Sequence, residues 1–453
     1  MASARLYKTG VASPTNDKKW TLSAWFKFNK AAGGGHLYFA SGGNSNDNWT
    51  QVRSSSDSLS VSGYSTAWLT TTQVFRDTSA WYHIVIAADS TQGTASNRLK
   101  IYVNGSEVTS FGTDNRSSIS QNQTWGWNKG SVVHNIGGEN ASGYGDFVMA
   151  HCHNVDGTAY TPTTFGETDA TTGIWKPKTA PTVTYGNNGW FLKFDNSANM
   201  GLDSSGQGNN LTTGGTIIQA KDTPSNVFAT LNPLDTGLPG TALNLANGNN
   251  TTMNTSGYGD YGVRSTLGAS SGKYYWEAEY TTGNCTGIQP MDTRLIFDMF
   301  GSTPEAHLYG VQRYNDSSTN FFHNTTFVSQ NTAAWGGITS GDIIGYALDL
   351  DNGKIFCSKN GNFRDLNGNV GNPANGTNPT FTISDTDRVY GAYVELRTNN
   401  DNGTKMNFGN GYFGTTAVTS AQNPDDGIGI FEYDVPAGYR ALCTKSINAQ
   451  EYS

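Results

Sequence analysis

The sequence predicts an all-β protein built from two antiparallel β-sandwich domains in tandem. Three observations lead to this prediction: apolar residues recur at every second position, Gly- and Asn-rich turns separate these segments, and capped amphipathic helices are not evident. The 453 residues exceed what one core usually holds, since domains run to roughly 100–200 residues. Charged residues make up only 14% of the chain, whereas glycine occurs 55 times, a composition typical of short strands and many turns.

The period-two pattern is clearest in WTLSAWFKF (20–28), where Trp20, Leu22 and Phe26 share one face, and in LKIYVNG (99–105). These segments are expected to be half-buried strands. The same alternation occurs in WYHIVIAAD (81–89), YYWEAEY (274–280), DIIGYALDLD (342–351) and RVYGAYVEL (388–396).

Asn-Gly pairs predict the hairpin turns, because both residues tolerate the positive φ angles of a type I′ turn. Asn104-Gly105 should set Tyr102 opposite Glu107 and Ile101 opposite Val108. Asn360-Gly361 should be followed by a third strand or by a long Asn- and Gly-rich loop over 362–379.

In DLDNGKIFCSKNGNF (349–363), a two-residue turn at Asn352-Gly353 predicts three pairs, namely Asp351 with Lys354, Leu350 with Ile355 and Leu348 with Cys357. The alternative interpretation is a calcium loop beginning at Asp349. An EF-hand loop requires glycine at its sixth position and Glu at its twelfth, but here Gly353 is fifth and Asn360 is twelfth. The turn is therefore favoured, and calcium in another loop geometry remains a weak expectation.

The composition changes between KPKTAP (176–181) and DTPSN (222–226), where GWFLKFD (189–195) resembles one more strand. We therefore predict a first sandwich over 1–180 and a connecting segment with a short strand over 181–225. A second sandwich should span 226–446, followed by a C-terminal tail over 447–453.

Charge and hydropathy exclude several kinds of partner. The net charge is −8 and no window concentrates Lys or Arg, which argues against nucleic acid. The N-terminal MASARLYKTGVASP lacks the apolar run of a signal peptide, and no run of about 18 apolar residues predicts membrane insertion. The four cysteines form no CxxC pair and are expected to be core thiols in a reducing compartment.

Two sets of motifs resemble known domains. The first part resembles the laminin-G-like members of the concanavalin A-like superfamily through WTLSAWFKF, WYHIVIAADSTQGTASNRLKIYVNG, HNIGG and FVMAHCHNVDGTAYTPTTFGE. The second part resembles a SPRY domain through SSGKYYWEAEY, GDIIGYALDLDNGKIFCSKNG, VYGAYVELR and KMNFG. This resemblance implies two concanavalin A-like, jelly-roll sandwiches.

The tandem, with DTPSNVFATLNPL between its halves and IGIFEYDVPAGYRALCTKSIN near its end, resembles virion-associated proteins of tailed, especially marine, phages. This resemblance implies a location on the virion surface after synthesis in the host cytoplasm, other virion proteins as partners, and a homo-oligomer in the particle. The function expected is non-enzymatic recognition of a host-surface glycan by a tail-fibre tip or appendage. The alternatives are capsid decoration or appendage joining and, less favoured, a glycan-degrading hydrolase.

Aromatic residues in polar segments are the candidate ligand-binding residues, because such rings stack on sugars while nearby Asn, Asp and Ser bind hydroxyls. The alternative is that many of them close the ends of the sandwiches. The candidates are Tyr64, Trp68, Trp125, Trp127, Tyr258, Tyr261, Phe321 and Phe322.

Two further clusters contain residue types that can catalyse reactions or bind metal ions. Glu277 and Glu279 share a strand face but lack the acid pattern of a glycosidase, so a solvated face and no enzymatic role are expected. His151 and His153 of HCH should project from one strand face and are weak metal candidates, with His134 as a third ligand. No cofactor is expected.

Overall fold

The structure, a computed structural model, forms two compact units, Met1–Gln219 and Ala220–Ser453. It describes residues 4–29, 37–42, 49–139, 143–170, 172–236, 244–253, 261–281, 285–293, 307–315, 318–323, 326–330, 335–396 and 403–451. Both units are antiparallel β structures, which confirms the predicted all-β class.

Short strands build the first unit, joined by 3₁₀ segments at Ala95–Asn97, Arg116–Ser118 and Pro162–Thr164. The strands are β1 (Arg5–Thr9), β2 (Lys19–Phe28), β3 (Leu37–Ser41), β4 (Gln51–Ser55), β5 (Ser58–Ser62), β6 (Ala67–Val74), β7 (Trp81–Asp89), β8 (Leu99–Val103), β9 (Ser106–Glu107), β10 (Phe111–Asp114), β11 (Val133–Ile136), β12 (Phe147–Asp156), β13 (Gly166–Thr168), β14 (Trp175–Pro177), β15 (Trp190–Leu192) and β16 (Thr212–Gly214).

The described strands of this unit form two large sheets. Eight follow the order β10-β6-β5-β4-β3-β11-β1-β16, and six follow β15-β12-β2-β7-β8-β9, while β13 and β14 pair separately. A row of the eight-stranded sheet through Leu6, Phe39 and Val52 packs on a row of the six-stranded sheet that includes Leu22 and Ile86. Alternation along each strand therefore sends every second residue into one shared core.

Short strands likewise build the second unit, followed by one helix, α1 (Thr444–Glu451). The strands are β17 (Leu231–Thr236), β18 (Asn244–Ala246), β19 (Thr251–Met253), β20 (Tyr261–Ala269), β21 (Lys273–Glu279), β22 (Cys285–Pro290), β23 (Tyr309–Asn315), β24 (Ser318–His323), β25 (Thr326–Gln330), β26 (Ile343–Asp349), β27 (Lys354–Lys359), β28 (Asn362–Arg364), β29 (Phe381–Thr382), β30 (Tyr390–Leu396), β31 (Lys405–Asn407), β32 (Tyr412–Phe413), β33 (Thr416–Ala417) and β34 (Arg440–Ala441).

The described strands of the second unit also form two large sheets. One has the order β17-β20-β30-β22-β23-β24-β25, and the other has the order β18-β19-β31-β21-β26-β27-β28, with β29 beside β27 and β34 parallel to β21. Trp276 and Tyr346 from the second sheet enter the same core as Ile288 and Val394 from the first. The two sheets enclose this core as a sandwich.

The hairpin at Asn352-Gly353 differs from its predicted register. Asp349, not Asp351, pairs with Lys354, Leu348 pairs with Ile355, and Tyr346 pairs with Cys357. The predicted two-residue turn is thus wrong, because the connection has four residues. The Asp349 carboxylate caps it by accepting hydrogen bonds from the main chain and side chain of Asn352 at 3.0–3.1 Å. The shift is two residues, so Cys357 keeps its predicted place in the core.

The other two turns follow the sequence. Tyr102 pairs with Glu107 across Asn104-Gly105, and both turn residues have positive φ, +47° and +84°. At Asn360-Gly361 the φ angles are +49° and +78°, and strand β28 follows directly. These predictions are confirmed.

The unit boundary lies between Gln219 and Ala220, inside the segment predicted as a connection. Strand β15 of that segment pairs with β12, so it extends the six-stranded sheet. The helix α1 was not expected, because its polar sequence TKSINAQE carries little amphipathic pattern.

All four cysteines are buried and free, as predicted for core thiols. None of the helices in the described ranges has the length and apolar character needed to span a membrane.

Candidate functional site

Most of the predicted ligand-binding aromatic residues are buried. The expectation of exposure is wrong for Trp68, Trp125, Trp127, Phe321 and Phe322, which are all at most 5% exposed. Tyr258 and the side chain of Tyr261 lie outside the described residues. Tyr64, at 50% exposure, is available to a ligand.

The two tryptophans of QTWGWNKG are buried in the core of the first sandwich. The Trp125 ring packs edge to face on Trp20 and Trp68, with centroids 5.9 and 5.3 Å away. Its indole Nε1 donates to the Lys18 carbonyl at 2.9 Å, and Trp127 Nε1 donates to Asn154 Oδ1 at 2.8 Å. Because each indole N–H has a partner within the protein, a polar loop can bury both rings without an unpaired donor.

Phe321 and Phe322 lie within strand β24 rather than in a loop. Phe321 faces the main core of the second unit, where it packs edge to face on Trp335 with centroids 4.9 Å apart. Phe322 points to the other side, into a small cluster with Leu308 and Tyr393. Other side chains pack against both faces of this strand. Two adjacent phenylalanines in the sequence do not by themselves predict that both faces are buried.

Tyr64 belongs to a face that the sequence prediction did not assemble. Its ring meets Trp49 edge to face, with centroids 5.7 Å apart. Trp49 is half-buried, and its Nε1 donates to both carboxylate oxygens of Glu139 at 3.0 and 3.2 Å. Gln51 Nε2 also donates to Glu139, at 2.7 Å.

Strands β4 and β5 and the residues that flank them place these groups side by side on the face of the eight-stranded sheet that points away from the core. Val52 and its partner Val61 point into the core, so the flanking residues of both strands point outward. Gln51 lies opposite Ser62, and Arg53 lies opposite Ser60. We call this surface the Trp49 face; it consists of Trp49, Gln51, Arg53, Ser60, Ser62, Tyr64 and Glu139.

The Trp49 face carries the groups that a sugar site requires. Aromatic rings lie at one end with a carboxylate beside them, and Arg53 lies at the other end, whereas Gln51, Ser60 and Ser62 between them are at most 5% exposed. The distance from Trp49 to Arg53 along the strand is about 13 Å, the length of a short oligosaccharide. Arg53 is partly exposed, and its Nε is buried without a hydrogen-bond partner among the described residues.

A sequence signal for this face was present in WTQVRSSS (49–56). Trp49, Gln51 and Arg53 alternate with Thr50 and Val52, a pattern that separates an outer from an inner face. The segment is short and polar, so its alternation is a weaker signal than that of the more apolar strands. Glu139 is 88 residues from Gln51 and joins only through tertiary structure.

The predicted histidine cluster is divided between two sheets. His151 and His153 both stack on Phe191, with centroids 6.4 and 4.0 Å away, and His153 Nδ1 is bound to the Tyr185 hydroxyl at 2.9 Å. His134 lies in the other sheet, where its Nε2 accepts from the main-chain N–H of Asn128. The expectation that His134 joins the pair is therefore wrong. Within the described ranges, no group of three or more His, Cys, Asp or Glu side chains is placed to hold a metal ion.

The solvated acid pair predicted in β21 is also corrected. Glu277 is fully buried, and its oxygens accept from the main-chain N–H groups of Glu432 and Tyr433, each at 2.9 Å. Burial raises its pKa to about 7 despite these hydrogen bonds. Glu279 forms an ion pair with Lys405. Glu277 thus anchors a distant segment of the second unit.

Two shallow depressions lie elsewhere on the first unit. One of about 340 Å³ includes Asp89 and Lys100, and one of about 380 Å³ includes Glu107. Their charged groups already have protein partners: Asp89 accepts from Thr91 at 2.5 Å, and Lys100 pairs with Glu107 at 3.1 Å. The Nε of Arg53 has no such partner among the described residues, which favours the Trp49 face as the binding site.

Comparisons with known proteins agree with this architecture. Residues 6–143 match the family model described as the concanavalin A-like lectin/glucanases superfamily, of the laminin G type. This range includes every residue of the Trp49 face. No curated protein matches the sequence.

Solved structures are similar to part of the chain. The SPRY domain of human HERC1 shares 19% identity over 39% of this chain and 96% of its own, with a TM-score of 0.28. The TRIM65 PSpry domain shares 15% identity over 39% of this chain and 88% of its own, with a TM-score of 0.27. The stonustoxin structure shares 13% identity over 45% of this chain and 36% of its own, with a TM-score of 0.28. The family match over residues 6–143 indicates a concanavalin A-like fold for this part of the chain, a fold consistent with carbohydrate binding.

Proposed function

We propose that this chain is a non-enzymatic protein of a phage virion surface, of the fibre-tip or appendage type, that recognises a host-surface glycan through the Trp49 face. The observation that carries the proposal is the ordered contact of Trp49 with Tyr64 and Glu139 on an outer sheet surface. The half-buried Trp49 ring, held by this hydrogen bond, is preorganised to stack on a sugar, because little side-chain entropy remains to be lost on binding.

We propose binding rather than hydrolysis because the Glu139 carboxylate accepts hydrogen bonds from neighbouring side chains. Its two oxygens accept from Trp49 and Gln51, which orients the aromatic ring. A retaining glycosidase instead needs a second carboxyl about 5 Å from the first, one acting as acid and the other as nucleophile. The virion location rests on the tandem arrangement of the two sandwiches and its sequence resemblance.

The site is tested by screening the full chain against a glycan array. We expect Trp49→Ala and Tyr64→Ala each to weaken glycan binding by about 10-fold or more. Stacking of a ligand ring on one aromatic side chain contributes on the order of 1–3 kcal/mol to the binding free energy. Ile174→Ala serves as the matched control, since Ile174 is 64% exposed on the same unit and lies outside the face. Loss of binding in the control, or full binding by both aromatic variants, would contradict this site.

The location is tested separately by electron cryo-microscopy of the intact particle. We expect density for both sandwiches at a fibre tip or tail appendage. Density on the capsid lattice would instead support the alternative, a decoration protein that binds other virion proteins.

A further inference from the structure

We infer that the glycan bound at the Trp49 face carries an anionic group, a carboxylate or a sulfate, and that Arg53 binds it. This inference rests on the proposed function and names the ligand class of the same site. Arg53 follows Gln51 by two residues, so the two side chains point outward from one strand about 7 Å apart. The guanidinium thus lies at the end of the face opposite to the aromatic pair.

The hydrogen-bonding state of Arg53 supports this role. Its Nε is buried and has no partner among the described residues, although a guanidinium offers five donors. Two other arginines of this unit, Arg98 and Arg116, have partners within the protein. Arg98 donates to three carbonyl oxygens, and Arg116 forms an ion pair with Asp114. A donor without a partner in a semi-buried setting is costly, and an anion at the partly exposed side chain would offset part of that cost by its charge.

The cross-strand neighbours of Arg53 are neutral, namely Leu37 in β3 and Ser60 in β5. Ser60 lies opposite, and its hydroxyl contacts those of Ser62 and Thr70 at 3.3 and 3.1 Å. The carboxylate of the face, Glu139, is held at the other end by Trp49 and Gln51. Positive charge and negative charge are therefore separated along the strand, so an anion at Arg53 does not have to lie against Glu139.

The fork geometry of arginine explains the choice of ligand group. Two parallel N–H donors match the two oxygens of a carboxylate or sulfate, and such charge-assisted pairs are about twice as strong as neutral hydrogen bonds. A sugar ring stacked at Trp49 and an acidic group at Arg53 would span the face. The net charge of −8 disfavours a diffuse attraction to polyanions, so recognition must come from this local contact.

The test measures binding of the full chain to three oligosaccharide sets: uronic-acid oligomers, sulfated oligomers and their neutral isosteres. We expect tighter binding to at least one acidic set, and a loss of about 10- to 100-fold for that set in Arg53→Gln. Arg53→Lys should recover only part of this affinity, because a point charge lacks the bidentate fork. Which acidic set responds identifies the anion.

The remaining outcomes separate this inference from the proposed function. Equal binding of acidic and neutral sets, or undiminished acidic binding by Arg53→Gln, would overturn the role of Arg53 while leaving glycan binding intact. Binding to no set would overturn both. Circular dichroism of each variant confirms folding, which Arg53→Gln should retain because no described partner is lost.

Discussion

The carboxylate of Glu277 accepts a hydrogen bond from the main-chain N–H of Tyr433 at 2.9 Å, although the two residues are 156 positions apart. Asn407 Nδ2 and the Tyr275 hydroxyl also donate to this carboxylate, at 3.2 and 3.1 Å. One buried acid therefore joins β21, β31 and the segment after β33 in the second unit.

This anchor predicts a pH-dependent stability. The pKa of Glu277 is raised from 4.5 to about 7, so between these values the folded chain binds more protons than the unfolded chain and the unfolding free energy falls as pH rises. We expect Glu277 to lower the unfolding free energy by about 3 kcal/mol as the pH rises from 4.5 to about 7. Glu277→Gln, which does not titrate, should lack this decline in urea unfolding between about pH 5 and 8. Parallel profiles for the two proteins would contradict the prediction.

His83 predicts the opposite pH dependence in the first unit. Its ring stacks between Trp25 and Trp175, and its Nδ1 accepts from Trp175 Nε1 at 2.9 Å, so Nε2 carries the proton and donates to Ser23. Burial lowers its pKa from 6.5 to about 3. The unfolded chain therefore binds more protons below pH 6.5, and stability falls as pH falls.

We expect protonation of His83 in the unfolded chain to lower the unfolding free energy by about 2 kcal/mol between pH 7 and pH 5. The measurement is a ¹³C titration of the histidine ring by NMR, together with urea unfolding at pH 7 and 5. A His83 resonance that titrates near pH 6.5 in the folded protein would show that the prediction is wrong.

Trp127 and Trp49 should respond differently to the same substitution. Trp127→Phe leaves the buried Asn154 Oδ1 without its donor and opens a void, so we expect a loss of about 2–4 kcal/mol in unfolding free energy. Trp49→Phe removes a half-exposed hydrogen bond to Glu139 and should cost about 1 kcal/mol or less, while weakening glycan binding. Thermal unfolding and binding of both variants test this contrast. Equal destabilisation would contradict it.

The corrected hairpin predicts a strict need for glycine at position 353. Its φ is +61°, and an added Cβ would lie 2.7 Å from the carbonyl oxygen of Ile383. Gly353→Ala should therefore destabilise the second unit by about 2 kcal/mol or more, since strain and a backbone clash add. Gly336→Ala is the matched control, because its φ is +60° and nothing lies within 4 Å. Gly336→Ala should lower the unfolding free energy by only about 1 kcal/mol. An equal loss in both variants would contradict the prediction, because it would mean that the clash at position 353 is relieved.

Local pattern was enough to predict the strands and two of the three Asn-Gly turns, because alternation and positive-φ preference act within a few residues. It was not enough for the Asn352-Gly353 register. There Asp349 side-chain hydrogen bonds stabilise a four-residue connection, and the alternation of faces is the same after a shift of two.

The sequence by itself determined the all-β class, the division into two sandwiches and the buried state of the cysteines, since each follows from hydrophobic periodicity and composition. Tertiary structure alone decided which aromatic residues are accessible. Trp125 and Trp127 stand in a polar loop yet find partners for both indole N–H groups in the core, whereas Trp49 meets Glu139 on an outer surface. Whether a ring is buried depends on which distant segments pack against it, and local sequence does not contain that information.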